Sequence, residues 1–127
     1  MKAISIRQPW AKFICIGKKS VEIRTWKTSH RGPILIHTGK NVDTEASLYY
    51  GIKPTELYTG GIIGVADLRE VIETDDLKVV WDVIKDDTME YVNYQPKQVG
   101  WVFASQKIFE VPIPYWGLPG VFDYVED

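Results

Sequence analysis

The sequence predicts an α+β chain that is mostly β: a small, mainly antiparallel β-barrel flanked by two to three helices. Three observations predict it. Segments with the two-residue period of strands outnumber segments with helical period. Several connections between strands are too short for the crossovers that parallel neighbours need. The chain of 127 residues is 45% hydrophobic and 25% charged, ordinary for one domain spanning residues 1–127, and a chain of that size buries about two thirds of its unfolded surface.

The first strand is Ala3-Ile4-Ser5-Ile6-Arg7, with Ile4 and Ile6 on one face and Ser5 and Arg7 on the other. Gln8-Pro9 stops it, and Pro9 suits the first position of a helix, where its missing N–H is not needed. That helix is expected from Pro9 to Ile16, with Trp10, Phe13 and Ile14 as its buried side. Gly17 follows as the left-handed residue after the helix end. A second strand covers Val21–Trp26, and Thr28–Gly32 has turn chemistry. Pro33–Thr38 is nearly all apolar, the pattern of a central strand.

Gly39-Lys40-Asn41 breaks that strand, and a short helix over Asp43–Tyr50 takes Asn41 or Asp43 as its cap. A loop from Gly51 to Gly61 leads into the strand Ile62–Val71, where Gly64 marks a bulge or a close backbone approach. Leu77, Val80, Trp81 and Ile84 stand at i, i+3, i+4 and i+7, so part of the acidic segment 73–98 is an amphipathic helix with a solvated outer face. Residues 91–96 read as an exposed linker or lid. Gly100–Ser105 begins a strand that Ile108–Pro114 extends, its prolines placing it at an edge. After the turn Gly117–Gly120, Val121–Val125 closes the chain.

The stretch Gly17–Trp26 concentrates the chemistry. Its strand alternates Val21, Ile23 and Thr25 with Glu22, Arg24 and Trp26, so one face joins the core and the other sets an acid, a base and a ring side by side. That face is read as the lining of a cleft. Residues 1–40 carry nine Lys/Arg against one acid, and residues 41–127 carry six against sixteen, which together give the net charge of −2. The split either makes a positive face for an anionic ligand or cancels when the halves fold together. The acidic total disfavours tight, sequence-blind binding of long duplexes. A lone Cys15 and two scattered His provide no metal site and no disulfide, and no cofactor is expected. No apolar run has the roughly 20 residues of a membrane span, which gives no membrane partner and cytoplasmic placement by default. The oligomeric state is left open.

Ile4-Ser5-Ile6-Arg7-Gln8-Pro9-Trp10 and Gly17-x-Lys19-x-x-Glu22-x-Arg24 resemble the ASCH domain family, whose signature has the form G-x-K-x-x-E-x-R. Arg31–His37, Gly100-Trp101-Val102 and Pro119-Gly120-Val121-Phe122 resemble further segments of that family, so the resemblance spans almost the whole chain. It implies a PUA-like barrel with a cleft beside the signature, and RNA or a nucleotide-like ligand. Some small members resemble amidohydrolases that remove an acyl group from the exocyclic nitrogen of a modified cytosine. In those the lysine works with a threonine three residues on and a glutamate from elsewhere. Here Lys19 matches the lysine, and Glu22 stands where that threonine would be.

The residues expected to bind ligand are Arg7, Gln8, Trp10, Lys19, Glu22, Arg24 and Trp26. Lys19 and Arg24 suit phosphate or a carbonyl-bearing base edge. Trp10, Trp26 and Trp101 offer rings for stacking. Glu22 repels phosphate but accepts from a base amino group, as carboxylates read cytosine N4. A structural ion pair between Glu22 and Arg24 is the competing reading. In the enzymatic alternative Lys19 and Glu22 are the catalytic pair, a charged Lys19 stabilising an oxyanion while Glu22 moves protons. His37, between buried neighbours, is read as structural. Expected partners are RNA, a short single strand or a modified nucleoside. The acidic segment 67–90 offers a weaker third reading, as a platform for another protein.

Overall fold

The computed structural model describes residues 1–90 and 94–126. In chain order they form β1 (Lys2–Ser5), α1 (Trp10–Cys15), β2 (Val21–Arg24), β3 (Gly32–Thr38), α2 (Thr44–Tyr49), β4 (Gly61–Ile72), α3 (Thr74–Ile84), β5 (Val99–Pro114) and β6 (Val121–Asp123). Short 3-10 turns cover Pro54–Glu56 and Lys85–Thr88. Part of the expected linker, residues 91–93, lies outside the described residues.

The strands make one six-stranded mixed sheet in the order β2-β5-β4-β3-β1-β6. Only β1 and β3 pair in parallel; the other neighbours are antiparallel. The backbone ladder ends at β2 on one side and β6 on the other, so strand pairing does not close the expected barrel. Both edge strands are short, four and three residues. A side chain spans part of the gap instead: Arg24 Nη2, at the end of β2, donates to the Ser5 carbonyl of β1 at 2.8 Å. Strands four steps apart in the sheet thus meet at one end, and the space beside that meeting is a cleft.

β3 lies between β4 and β1, as its apolar run requires. Ile34 and Ile36 face one core cluster, which packs on Trp10, Phe13, Ile14 and Cys15 of α1. Leu35 points to the opposite cluster, with Ala3, Ile62 and Phe122. The bulge expected at Gly64 is present as a register shift between Ile62 and Gly64 against β5. A Cβ on Gly64 would sit 2.4 Å from the Lys107 carbonyl and 2.5 Å from Cys15 Sγ, so the glycine also permits close packing of α1. Burial pushes the Cys15 thiol up to about 12, so it packs as a neutral apolar group. β5 runs unbroken for 16 residues, but β2 pairs only with Val99–Val102. Beyond that point one flank of β5 has no strand beside it, which is where Pro112 and Pro114 are tolerated.

Asp43 caps α2 by accepting from the Ala46 N–H at 3.1 Å. α3 buries Leu77 and Trp81 and exposes its acids. The two halves of the charge pattern do meet: Lys2 pairs with Asp123, Arg7 with Asp43 and Lys27 with Glu73. No described helix is long and apolar enough to cross a membrane.

Candidate functional site

The site begins with the turn after α1. Gly17 takes φ +82°, and the Lys18 and Lys19 N–H groups both donate to the Phe13 carbonyl at 2.9 Å. The chain therefore reverses tightly and turns Lys19 inward, where it is wholly buried. Its ammonium donates to the Thr88 carbonyl, lies 3.5 Å from Glu22 Oε1 and stands 4.9 Å from the Trp10 ring centre. A buried ammonium needs such partners, because desolvation without them is prohibitive.

Glu22 is almost fully buried and Arg24 only partly exposed, so the charged face expected of β2 reaches water only through the cleft. Its other oxygen, Oε2, lies 3.2 Å from Arg24 Nε. The angle there is poor: Arg24 Nε is buried and makes no hydrogen bond, although the charges are in contact. Glu22 thus sits between two cations, and Arg24 carries the line on to Ser5. The ion-pair reading of Glu22 and Arg24 holds geometrically. It does not exclude a ligand, because both residues line the cleft.

That cleft encloses about 330 Å³ beside Ser5, Arg7, Trp10, Glu22, Arg24, Lys40, Asn41 and Glu90. Arg7 stands on its rim, 3.5 Å from Asp43, and the Trp10 indole N–H donates to the same carboxylate at 3.3 Å. Of the seven expected ligand residues, Arg7, Trp10, Glu22 and Arg24 meet here. Lys19 lies beneath, behind Glu22. The other two are elsewhere. Gln8 is buried, giving its amide to the Tyr58 carbonyl and accepting from the Lys12 N–H. Trp26 packs edge-on against Trp101, 4.8 Å between centres, beside a different depression with Lys27 and Glu73. Trp101 is fully buried and cannot stack on a ligand.

Glu90 is one of the cleft residues that sequence reasoning missed. The Met89 carbonyl just before it accepts from the Tyr50 hydroxyl, and the Glu90 N–H donates to Thr88 Oγ1 at 3.1 Å. Burial pushes the Glu90 carboxyl above the usual range, an effect that Lys19 and Arg24 offset and that Glu22 and Asp43 reinforce. In the sequence it is one acid among many, and nothing local marks it. Lys40 was read as part of the break after β3 and Asn41 as that break or a helix cap, yet both line the cleft.

His37 is structural, as expected. The Tyr115 carbonyl can only accept, so Nε2 donates to it at 2.8 Å, and Nδ1 faces the Ser5 hydroxyl at 2.8 Å. The ring ties β3 and β1 to the segment after β5. Among the described residues no group of three or more His, Cys, Asp or Glu is placed to hold a metal.

A model described as the ASCH domain matches residues 4–112. No curated protein matches the chain. Among solved structures, the fold is similar to that of ASCH from Zymomonas mobilis, with a TM-score of 0.69 at 17% identity over 98% of this chain and 87% of that one. A mutant of the same protein aligns with a TM-score of 0.63 at 20% identity, over 89% and 74% of the two chains.

Proposed function

Because this chain belongs to the ASCH domain family, we propose that its cleft takes up one base, of cytosine type, from a short single-stranded RNA or a nucleoside. The observation that carries this reading is Glu22, a carboxylate held at the cleft floor between Lys19 and Arg24. Two carboxyl groups, Glu22 and Glu90, make poor company for phosphate. They suit a base edge that presents an amino group beside ring acceptors. Glu22 accepts from the exocyclic amine, as carboxylates do with cytosine N4. Arg24 supplies donors for the ring carbonyl. Glu90, inclined by burial to keep its proton, adds a donor or an acceptor. A volume of about 330 Å³ falls at the lower end of small-molecule sites. Bases unstacked from single strands are read on such edges.

Fluorescence anisotropy at low salt tests this with short oligoribonucleotides containing cytidine or uridine. Wild type is expected to prefer cytidine. Glu22→Gln, which still presents an acceptor but adds donors, is expected to shrink that preference by an amount worth about 1–3 kcal/mol. Equal binding of the two sequences, or none, would sink the reading.

The presence of Glu90 together with Glu22 in the cleft lining supports a second reading, removal of an acyl group from an N4-acylated cytidine. Water would attack the acyl carbon, and Glu90 on the cleft wall would pass a proton to the departing cytosine nitrogen, leaving cytidine and the free acid. Lys19 would then act by holding Glu22. A panel of N4-acylcytidines tests it. Product release that Glu90→Gln abolishes, with the circular dichroism spectrum unchanged, supports hydrolysis, and no turnover across the panel rejects it.

A further inference from the structure

Beyond Ser5 the cleft continues into a second concavity of about 810 Å³. Ser5, Gly39 and Lys40 line both, so the two lie side by side along one trough with these residues as the low ridge between them. The second part holds no Asp or Glu among its described lining residues, and its wall carries Trp116, which is 79% exposed. Leu118 on the same wall is 55% exposed as well, so the ring belongs to an apolar patch of the kind that marks a contact surface.

The ring is mounted on backbone that is fixed on both sides. On one side the Tyr115 carbonyl accepts from His37, and the Tyr115 ring lies parallel to Phe122 at 3° and 6.4 Å. On the other, Gly117 lies so close to His37 that a Cβ there would fall 2.4 Å from its Cε1. Above the ring stands a cation, Lys40 Nζ, 5.3 Å from its centre. A flat exposed aromatic with an adjacent ammonium, in a groove free of acids, complements one nucleotide: base on ring, phosphate on ammonium.

We propose that Trp116 and Lys40 form a second nucleotide subsite, so that the trough takes a single-stranded RNA segment of at least two nucleotides rather than a lone nucleoside. This rests on the reading of the Glu22 cleft as a base site. The neighbouring base stacks on Trp116, displacing Lys40 from the ring face, and the connecting phosphate receives the ammonium at the boundary that Lys40 shares. Sequence specificity belongs to the cleft. The Trp116 subsite accepts any base, since every base has a stacking face.

The test compares cytidine with a tetranucleotide of cytidine, using the full chain. Wild type is expected to bind the tetranucleotide more tightly. Trp116→Ala is expected to lower tetranucleotide affinity by about 5- to 150-fold and leave cytidine affinity unchanged, and Trp116→Phe to restore most of the loss. Lys40→Gln is expected to reduce the slope of log affinity against log salt by about 0.7. If Trp116→Ala has no effect on the tetranucleotide, or weakens both probes alike, the second subsite is overturned and the groove belongs to another class of ligand. Equal binding of the two probes by wild type overturns it as well, while leaving the base site standing. If wild type binds neither probe, both readings fall.

Discussion

Two lysine–tryptophan pairs stand on either side of Ser5 and Gly39, the residues that line both concavities. In the cleft, Lys19 lies 4.9 Å from the Trp10 ring and both are buried; in the groove, Lys40 lies 5.3 Å from the Trp116 ring and both are exposed. The contacts are nearly alike and their surroundings are opposite. Lys19 also touches Glu22 and the Thr88 carbonyl, so its position is over-determined and removing any partner leaves a dry charge. Lys40 keeps its water, and its contact with the ring is worth about 0.5–1 kcal/mol at such a site. The same pair of residue types thus serves the architecture in one place and is open to a ligand in the other.

The largest expected effect tests the buried pair. Glu22→Ala leaves Lys19 without its carboxylate and should cost about 3–5 kcal/mol in urea unfolding. A loss below about 1 kcal/mol would mean that water or a shifted side chain already compensates Lys19, and the contrast with Lys40 would collapse. Next comes Gly117→Ala, whose added Cβ collides with His37 and forces apart the wall that carries Trp116. It should cost about 1–3 kcal/mol and expose the indole further, read as a red shift and stronger quenching of tryptophan fluorescence.

Glu90→Gln sharpens the electrostatics of the cleft. Burial raises the Glu90 carboxyl in the folded chain, so the native state holds that proton more tightly than the unfolded chain does. The contribution to stability is full below the unfolded value of about 4.3 and is lost as pH rises through the folded one. Glu90→Gln removes that dependence, so its melting temperature should gain on wild type as pH rises across that window. A variant that instead loses ground would show that the ionised carboxylate is a net partner of Lys19 and Arg24. The smallest effect belongs to Lys40→Gln, which loses only the exposed ring contact and should change stability by no more than about 1 kcal/mol. Thermal unfolding in low and high salt reads this directly, and a larger loss would make Lys40 structural too.

What the sequence disclosed follows from what is local. Gly17 after α1, the cap at Asp43, the bulge at Gly64 and the two-sided burial of β3 each depend on neighbours within a few residues, and each is found. The pairing of Glu22 with Arg24 was legible for the same reason. The burial of Lys19 was not, because it depends on a carbonyl 69 residues away. Glu90 reaches the cleft through a hydroxyl 39 residues before its own neighbour, Met89. Trp26 obeyed its strand alternation only until β2 ended at Arg24, after which the ring turned to Trp101. Barrel closure was illegible because it is decided at the two edge strands, whose partners no periodicity reveals.

The meeting of Arg24 with the Ser5 carbonyl has a mechanical consequence. A barrel closed by a ladder of backbone bonds opens only by unpairing a strand. Here β2 and β1 are stitched at the cleft mouth by a guanidinium, a bond worth about 1.5–3 kcal/mol. Unfastening that stitch leaves every strand of the sheet paired. The tie across the cleft is thus a side-chain bond, and its loss would cost no backbone pairing on either side.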